Sequence, residues 1–179
     1  MSQQVTIKER TFGVFLSADQ IDQAIQEIAD RINVEFAGKS PVFISVLNGA
    51  FMFTADLLKK ITIPCELSFV KLSSYSGTGS SGSVKHLVGL TEDISGRPVI
   101  ILEDIVDTGL TMRAMLNQVQ ALSPSSVSIA SLLVKPESLK EEITVDYVCF
   151  NIPDKFVVGY GLDLDGFGRN LADIYQLIS

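Results

Sequence analysis

The stretch that decides the fold of this chain reads Val99-Ile100-Ile101-Leu102-Glu103-Asp104-Ile105-Val106-Asp107-Thr108-Gly109-Leu110-Thr111. Its first four residues are apolar without interruption, which is typical of a parallel strand that is buried on both faces. Apolar residues then recur at helical spacing from Leu110 to Leu122, so the sequence predicts a buried strand, a tight turn and a helix. Ligands of open α/β sheets bind at the carboxyl ends of the strands, and this turn is therefore a candidate ligand site.

Each residue type in this turn suits a chemical task. The free N–H groups of a helix that begins near Gly109 favour an anion such as phosphate, and the glycine lets the backbone approach it closely. The hydroxyls of Thr108 and Thr111 can donate to phosphate oxygens. Glu103 and Asp104 suit ribose hydroxyls or Mg²⁺, and the third carboxylate, on the turn itself, is a candidate general base. Taken singly, each residue is more common in a solvated turn, so the ordered combination carries the prediction.

Composition narrows the class of protein. At 179 residues, with 46% hydrophobic and 20% charged residues, the chain predicts one globular domain over residues 1–179. The net charge of −7 argues against a nucleic-acid partner and against an anionic membrane surface. No apolar stretch is long enough to span a bilayer, and residues 1–6 lack the core of a signal peptide, which favours a cytoplasmic location. Cys65 and Cys149 are predicted to be buried free thiols, and a single His argues against a zinc site.

The rest of the chain alternates strands and helices. Ser17 and Gln20 form a capping box before an apolar helical stripe that runs from Ile21 to Phe36. The further predicted elements are strands over 41–47, 64–72, 84–90, 126–134, 145–150 and 156–158, and a helix over 50–60. This order favours an α/β fold with a mostly parallel central sheet flanked by helices, preceded by an extended arm over 6–15.

Residues 73–83 form a Ser/Gly-rich segment in which Gly77, Gly79 and Gly82 spell G-x-G-x-x-G. A dinucleotide fingerprint requires a helix after the last glycine, whereas the following residues alternate like a strand. A P-loop requires a lysine at the position of Ser83. Both motifs are therefore disfavoured, and a disordered surface loop or a mobile lid over the site remain as alternatives.

The run from Val99 to Thr111 resembles the phosphoribosyl pyrophosphate (PRPP) signature of the type I phosphoribosyltransferases. Further matches, from about Pro41 to the C-terminus, resemble the hypoxanthine(-guanine) branch of that family. The resemblance implies a flexible lid loop and a small hood formed by the terminal segments. It also implies transfer of the 5-phosphoribosyl group from PRPP to N9 of a 6-oxopurine, with Mg²⁺ as cofactor, in a homodimer or homotetramer.

The resemblance also assigns site residues. The residues that it implies for PRPP binding are Glu103, Asp104, Asp107, Thr108, Gly109, Leu110, Thr111, Leu47, Asn48, Gly49, Ser74, Tyr75 and Arg169. The residues that it implies for the purine are Lys135 as donor to the exocyclic oxygen, Phe156 as stacking ring, Val157 as backbone partner, and Asp163. It makes Asp107 the catalytic base, and it places Mg²⁺ on Glu103, Asp104 and Asp163.

Two departures and two alternatives accompany this resemblance. Asn48 stands where some relatives carry lysine, so a lysine contribution to pyrophosphate binding does not transfer to this chain. Gly168 and Asn170 flank Arg169 where several relatives have an aromatic residue and an aspartate. A nucleotide-sensing RNA-binding regulator of the same fold is one alternative, and the acidic charge argues against it. A phosphoribosyltransferase for another base, such as adenine, xanthine or a pyrimidine, is the other. Lys135 favours a 6-oxopurine because it is a permanent donor, and acceptance of xanthine stays open.

Overall fold

A computed structural model describes residues 4–75 and 84–178 of the chain, and residues 72–75 and 84–88 by their backbone alone. In chain order, the α-helices and strands of the described residues are β1 (Gln4–Ile7), β2 (Arg10–Leu16), α1 (Ala18–Glu35), β3 (Val42–Val46), α2 (Phe51–Lys60), β4 (Glu66–Tyr75), β5 (Val84–Val88), β6 (Pro98–Val106), α3 (Leu110–Gln120), β7 (Ser126–Val134), β8 (Tyr147–Asn151), β9 (Val157–Val158) and β10 (Ile174–Leu177). No helix of these residues is both long and apolar enough to cross a membrane.

The central sheet has the strand order β5-β4-β3-β6-β7-β8. Five neighbouring strands run parallel, and β5 pairs antiparallel with β4 at one edge. The five parallel strands are β4, β3, β6, β7 and β8. Because they share one direction, their carboxyl ends meet along one edge of the sheet. The predicted mostly parallel sheet flanked by helices is confirmed.

Alternate residues of the central strands pack into two separate layers of core. Phe43, Ile100 and Leu102 face the side that α1 and α2 cover. Ile44 and Ile101 face the opposite side, which α3 covers. Both faces of β6 are buried, which explains why its first half is apolar without alternation.

The predicted capping box begins α1. Gln20 N–H donates to Ser17 Oγ at 3.3 Å, and Ser17 N–H donates to Gln20 Oε1 at 2.9 Å. The predicted apolar stripe is buried, with Ile21, Ile25 and Ile32 fully inside the core. Burial of that stripe fixes the helix against the sheet, because apolar area removed from water is the main stabilising contribution in such packing.

The two ends of the chain build a second, antiparallel sheet with the order β1-β2-β10-β9. This sheet is the predicted hood. It joins the N-terminal hairpin to β10 and to the short β9, which carries Val157. Its own small core is formed by Phe12, Val158 and Tyr175. The hood therefore places a segment of residues 150–160 above the carboxyl edge of the central sheet.

Three details differ from the prediction. β6 continues through Glu103 and Asp104 to Val106, and β4 continues to Tyr75, so both strands are longer than their apolar runs. The N-terminal segment is a paired hairpin rather than an extended arm. Cys65 and Cys149 are free thiols, as predicted, but they are only partly buried.

Candidate active site

The turn after β6 begins the site. Gly109 is the N-cap of α3 and has φ +81°, in the left-handed region that glycine adopts without strain. A Cβ at this position would lie 3.0 Å from Ile143 Cδ1 and 3.2 Å from Glu141 Cβ, so a larger residue would be crowded as well as strained. Lys140 N–H donates to the carbonyl of Thr108 at 3.0 Å. The segment 139–143 thus supports the turn from outside, while the first N–H groups of α3 remain directed to the site.

A small cavity of about 80 Å³ lies inside this turn. The residues that line it are Glu103, Ile105, Val106, Asp107, Thr108, Gly109, Thr111 and Met112. The hydroxyls and the helix N-terminus at this cavity could bind an anion without any basic side chain. This cavity is called the phosphate cavity below.

A second cavity, of about 410 Å³, lies between β3, β6 and the hood. Its lining includes Leu47, Asn48, Gly49, Lys71, Glu103, Asp104, Thr111, Asp163 and Arg169. Arg169 Nη2 pairs with Asp163 Oδ1 at 2.7 Å, and Arg169 Nη1 donates to the carbonyl of Gly161 at 2.6 Å. This cavity, called the pyrophosphate cavity below, combines carboxylates with two cationic side chains.

Two glycines allow the walls of the pyrophosphate cavity to meet. A Cβ on Gly49 would overlap the carboxylate of Asp104, and a Cβ on Gly161 would collide with the carbonyl oxygen of Gly49. The backbone of the loop after β3 therefore touches the Asp104 carboxylate at the end of β6 and the backbone of the hood turn at 159–163. A side chain at Gly161 would push that turn away from the loop, and one at Gly49 would displace the Asp104 carboxylate.

The third cavity has a volume of about 260 Å³ and is called the purine cavity below. The residues that line it are Asp104, Ile105, Asp107, Lys135, Lys155, Phe156, Val157, Leu162 and Asp163. Lys135 is 8% exposed, and its Nζ lies 3.0 Å from Asp107 Oδ2 and 2.9 Å from Asp154 Oδ1. Phe156 is 44% exposed, so its ring is open to a flat partner.

The three cavities adjoin, and Ile105 lines all of them. They bring together almost all of the residues that the sequence assigned to the site. Leu110 does not line any of them, since its side chain is 53% exposed at the start of α3. Ser74 and Tyr75 end β4, but their side chains and residues 76–83 lie outside the described residues, so the lid remains a prediction.

Burial sets the electrostatics of the site. Burial and the neighbouring charge of Asp104 raise the pKa of Glu103 well above its ordinary value. Burial tends to lower the pKa of Lys135, but its hydrogen bonds to Asp154 and Asp107 outweigh this effect and raise that pKa. The site therefore contains a buried carboxyl whose charged form is unfavourable without a nearby cation, and an ammonium that stays charged at neutral pH.

The donor set can be tested against Mg²⁺. Among the described residues, no three His, Cys, Asp or Glu side chains converge on one point that could hold a metal ion. Glu103 and Asp104 are adjacent, and Asp163 lies across the pyrophosphate cavity. Mg²⁺ is usually bound by one or two carboxylates together with water and substrate oxygens rather than by an all-protein cage. The residues present fit that mode of binding.

Several lining residues were missed by the sequence analysis. Lys71 and Lys155 line the pyrophosphate and purine cavities, Asp154 pairs with Lys135, and Ile105 joins the cavities. Lys71 lies on β4, and the strand predicted over 64–72 already placed it near the same carboxyl edge. Asp154 adjoins the predicted stacking residue, but its partner lies 19 positions away in the chain.

Comparisons with known proteins agree with this geometry. Residues 17–165 match the phosphoribosyl transferase domain family. The hypoxanthine-guanine phosphoribosyltransferase of Streptococcus pneumoniae is 42% identical over 162 residues, which cover 90% of each chain. A crystal structure of such an enzyme from Bacillus anthracis superposes with a TM-score of 0.83 at 36% identity, covering 93% of this chain and 96% of that one. The hypoxanthine phosphoribosyltransferase of Trypanosoma cruzi gives the same TM-score of 0.83 at 36% identity, covering 92% of this chain and 95% of that one.

A mostly parallel sheet, with the turn at 107–111 at its carboxyl edge and a hood above it, defines the class, and the chain belongs to the phosphoribosyltransferase family. The relatives that it resembles over nine-tenths of its length are the hypoxanthine-guanine phosphoribosyltransferases. The family resemblance predicted from Val99–Thr111 is thereby confirmed.

Proposed function

We propose that this chain is a hypoxanthine-guanine phosphoribosyltransferase that serves purine salvage. It transfers the 5-phosphoribosyl group of PRPP to N9 of hypoxanthine or guanine and releases pyrophosphate. The observation that carries the proposal is the position of Asp107, which lines both the phosphate cavity and the purine cavity and pairs with Lys135. The Asp107 carboxylate thus lies between the cavity proposed for the sugar phosphate and the cavity proposed for the base.

In this proposal PRPP binds along the carboxyl edge of β3 and β6. Its 5-phosphate accepts hydrogen bonds from the N-terminus of α3 and from the hydroxyls of Thr108 and Thr111. Its ribose hydroxyls donate to Glu103 and Asp104. Its pyrophosphate lies in the pyrophosphate cavity, against the backbone of residues 47–49 and within reach of a forked guanidinium, Arg169.

The base binds between the hood and the end of β7. Phe156 provides an exposed ring for stacking, and the Val157 backbone borders the edge of the base. Lys135 donates to the oxygen at position 6 of the purine. Adenine presents an amino group at that position. This group is a hydrogen-bond donor, and an ammonium has no acceptor for it, so the site selects a 6-oxopurine.

The chemical step is a displacement at C1 of the ribose. N9 of the base forms a bond to C1 while the bond from C1 to the pyrophosphate oxygen breaks, and positive charge builds up on the ribose. Asp107 accepts the proton that leaves N7 of the base as N9 attacks. Holding both substrates in adjoining cavities supplies much of the rate, because the reacting atoms need no further alignment.

Mg²⁺, when bound with the substrate, would neutralise charge on the leaving pyrophosphate. Glu103, Asp104 and Asp163 would hold it together with water and PRPP oxygens. The proposal also places the protein in the cytoplasm as a homodimer or homotetramer with one catalytic domain, and without a nucleic-acid or membrane partner.

An ultraviolet-absorbance assay tests the proposal. The full chain is incubated with PRPP and Mg²⁺ and, separately, with hypoxanthine, guanine, xanthine or adenine. We expect conversion of hypoxanthine or guanine that depends on Mg²⁺, and no conversion of adenine. Binding of PRPP without conversion of any base would overturn the proposal and favour a nucleotide-sensing regulator or another acceptor.

A further inference from the structure

The purine cavity contains a cation that is held by two carboxylates. Lys135 lies at the end of β7 and is 8% exposed, whereas Asp154, in the turn before β9, is 70% exposed. Nζ of Lys135 lies 2.9 Å from Asp154 Oδ1 and 3.0 Å from Asp107 Oδ2. Neither the sequence motifs nor the proposed reaction assigns a role to Asp154.

Counting donors shows what the second carboxylate does. An ammonium has three N–H donors and no acceptor. Two of them are taken by Asp107 and Asp154, and the third has no acceptor among the described residues. Because two hydrogen bonds fix the position of Nζ, the third N–H is left for an acceptor in the purine cavity. With Asp107 alone, the long and flexible side chain would have one anchor and no fixed third direction.

Charge gives the second carboxylate another task. A buried ammonium is unfavourable unless a carboxylate stays beside it. In the proposed reaction Asp107 takes up a proton and loses its charge at the moment of transfer. Asp154 takes no part in that proton transfer, so Lys135 keeps a carboxylate partner throughout.

Asp154 also joins two elements of the site. It precedes Phe156 by two residues, and Ile152 N–H donates to the carbonyl of Val134 at 2.8 Å, next to Lys135. The ion pair between Asp154 and Lys135 therefore holds the stacking wall of the hood at a set distance from the end of β7.

We infer that Asp154 is a positioning residue that determines specificity for the oxygen at position 6 of the base. It does so by holding Lys135 so that its free N–H points to that oxygen. This inference rests on the proposed function, because it takes a 6-oxopurine as the ligand of the purine cavity.

The test compares two nucleotides that differ at the 6-oxo edge of the base. Binding of IMP and of purine riboside 5′-monophosphate is measured by calorimetry for the full chain and for Asp154→Ala, which removes the acceptor of Lys135. We expect the variant to bind IMP about tenfold more weakly and purine riboside 5′-monophosphate within about twofold of the parent, since only IMP carries the oxygen. In steady-state assays the KM for hypoxanthine rises and the KM for PRPP does not. Asp154→Glu restores a carboxylate and should recover part of the preference for IMP.

Glu66→Gln is the matched control. Glu66 forms an exposed ion pair with Arg97 at the amino edge of the sheet, where it touches no part of the site. This control should leave both affinities unchanged. Equal weakening of both nucleotides in Asp154→Ala, or an undiminished preference for IMP, would overturn the inference alone. Failure of the parent chain to bind either nucleotide would instead overturn the proposed function, and the inference with it.

Discussion

Asp107 forms an ion pair with Lys135, and in the proposed reaction it is also the general base. Its Oδ2 lies 3.0 Å from Lys135 Nζ, and the same side chain lines the phosphate cavity. An asparagine in its place keeps an oxygen that can accept from Lys135 but cannot take up a proton. The effect of that change therefore separates the base role from a purely structural role in the turn.

For Asp107→Asn we expect kcat to fall by about 10² to 10⁴, the range that is typical of losing a general base. The dissociation constant for PRPP should change much less, because the neighbouring hydroxyls and the N-terminus of α3 are intact. Single-turnover kinetics and calorimetry with PRPP measure the two quantities separately. An equal loss in turnover and in PRPP affinity would remove Asp107 from the base role and make it a residue of the phosphate turn.

At the scale of single residues, the sequence predicted side chains that lie at strand ends. Asp107 and Lys135 each follow an apolar run, and parallel strands bring such positions to one edge of the sheet. Asp154 and Tyr160 could not be found in this way. Asp154 acts through a lysine on another strand, and Tyr160 acts through Asp56 on α2, so their roles depend on tertiary packing rather than on local pattern.

At the scale of elements, the hood turn at 159–163 is fastened to α2 by one buried tyrosine. Tyr160 has φ +50° between Gly159 and Gly161, which are also in the left-handed region. A tyrosine in this conformation is strained, and surrounding contacts must hold it there. Its hydroxyl donates to Asp56, and the following residues hold Arg169 and Asp163 over the pyrophosphate cavity.

Tyr160→Phe tests this fastening, and Tyr147→Phe is its matched control. The hydroxyl of Tyr147 likewise donates from a buried ring to a helix carboxylate, Glu35, but at a point away from the three cavities. Each change should lower the free energy of unfolding by about 1–2 kcal/mol, because each removes a hydrogen bond to a carboxylate. Only Tyr160→Phe should also weaken binding of magnesium pyrophosphate, by about fivefold, because only that turn holds Arg169.

Denaturant unfolding gives the first quantity and calorimetry with magnesium pyrophosphate the second. The affinity for IMP serves as the internal reference, since IMP would bind in the phosphate cavity and the purine cavity. Parallel losses in pyrophosphate affinity for both tyrosine variants would mean that general stability, and not the fastening of the turn, controls that cavity.

Elements differ in how well the sequence predicted them. Helix α1 has a capping box and a regular apolar stripe, and both appear in the structure. The N-terminal hairpin was missed because its two-residue turn is Lys8-Glu9, both with positive φ. Asn-Gly and Asp-Gly are the common signals for such a turn, and neither is present. β6 was predicted too short because its carboxyl half carries Glu103 and Asp104, whose polarity resembles a turn although the backbone remains paired with β7.

At the scale of the whole molecule, both sheets contribute residues to the cavities of the site. The central sheet provides the phosphate cavity, and the hood provides Val157 and Phe156 for the base. The hood contains both ends of the chain, and Ala18 N–H at the start of α1 donates to Asp173 Oδ1 at 2.7 Å just before β10. In the proposed function IMP contacts both sheets at once, whereas ribose 5-phosphate contacts the central sheet alone.

Hydrogen exchange measured with two ligands tests this division. Ribose 5-phosphate fills the phosphate cavity alone, so it should slow exchange in peptides that cover 106–115 and leave those that cover 152–178 unchanged. IMP also contacts β9, which pairs with β10 through Val157 and Gln176. IMP is added at about 100 times its dissociation constant, where bound ligand stabilises the closed form by up to about 2.7 kcal/mol. Hydrogen exchange in 152–178 that requires release of IMP should therefore slow by about tenfold or more. Equal protection of 152–178 by ribose 5-phosphate would show that hood and central sheet open as one unit, and that the base makes no separate contribution to holding them together.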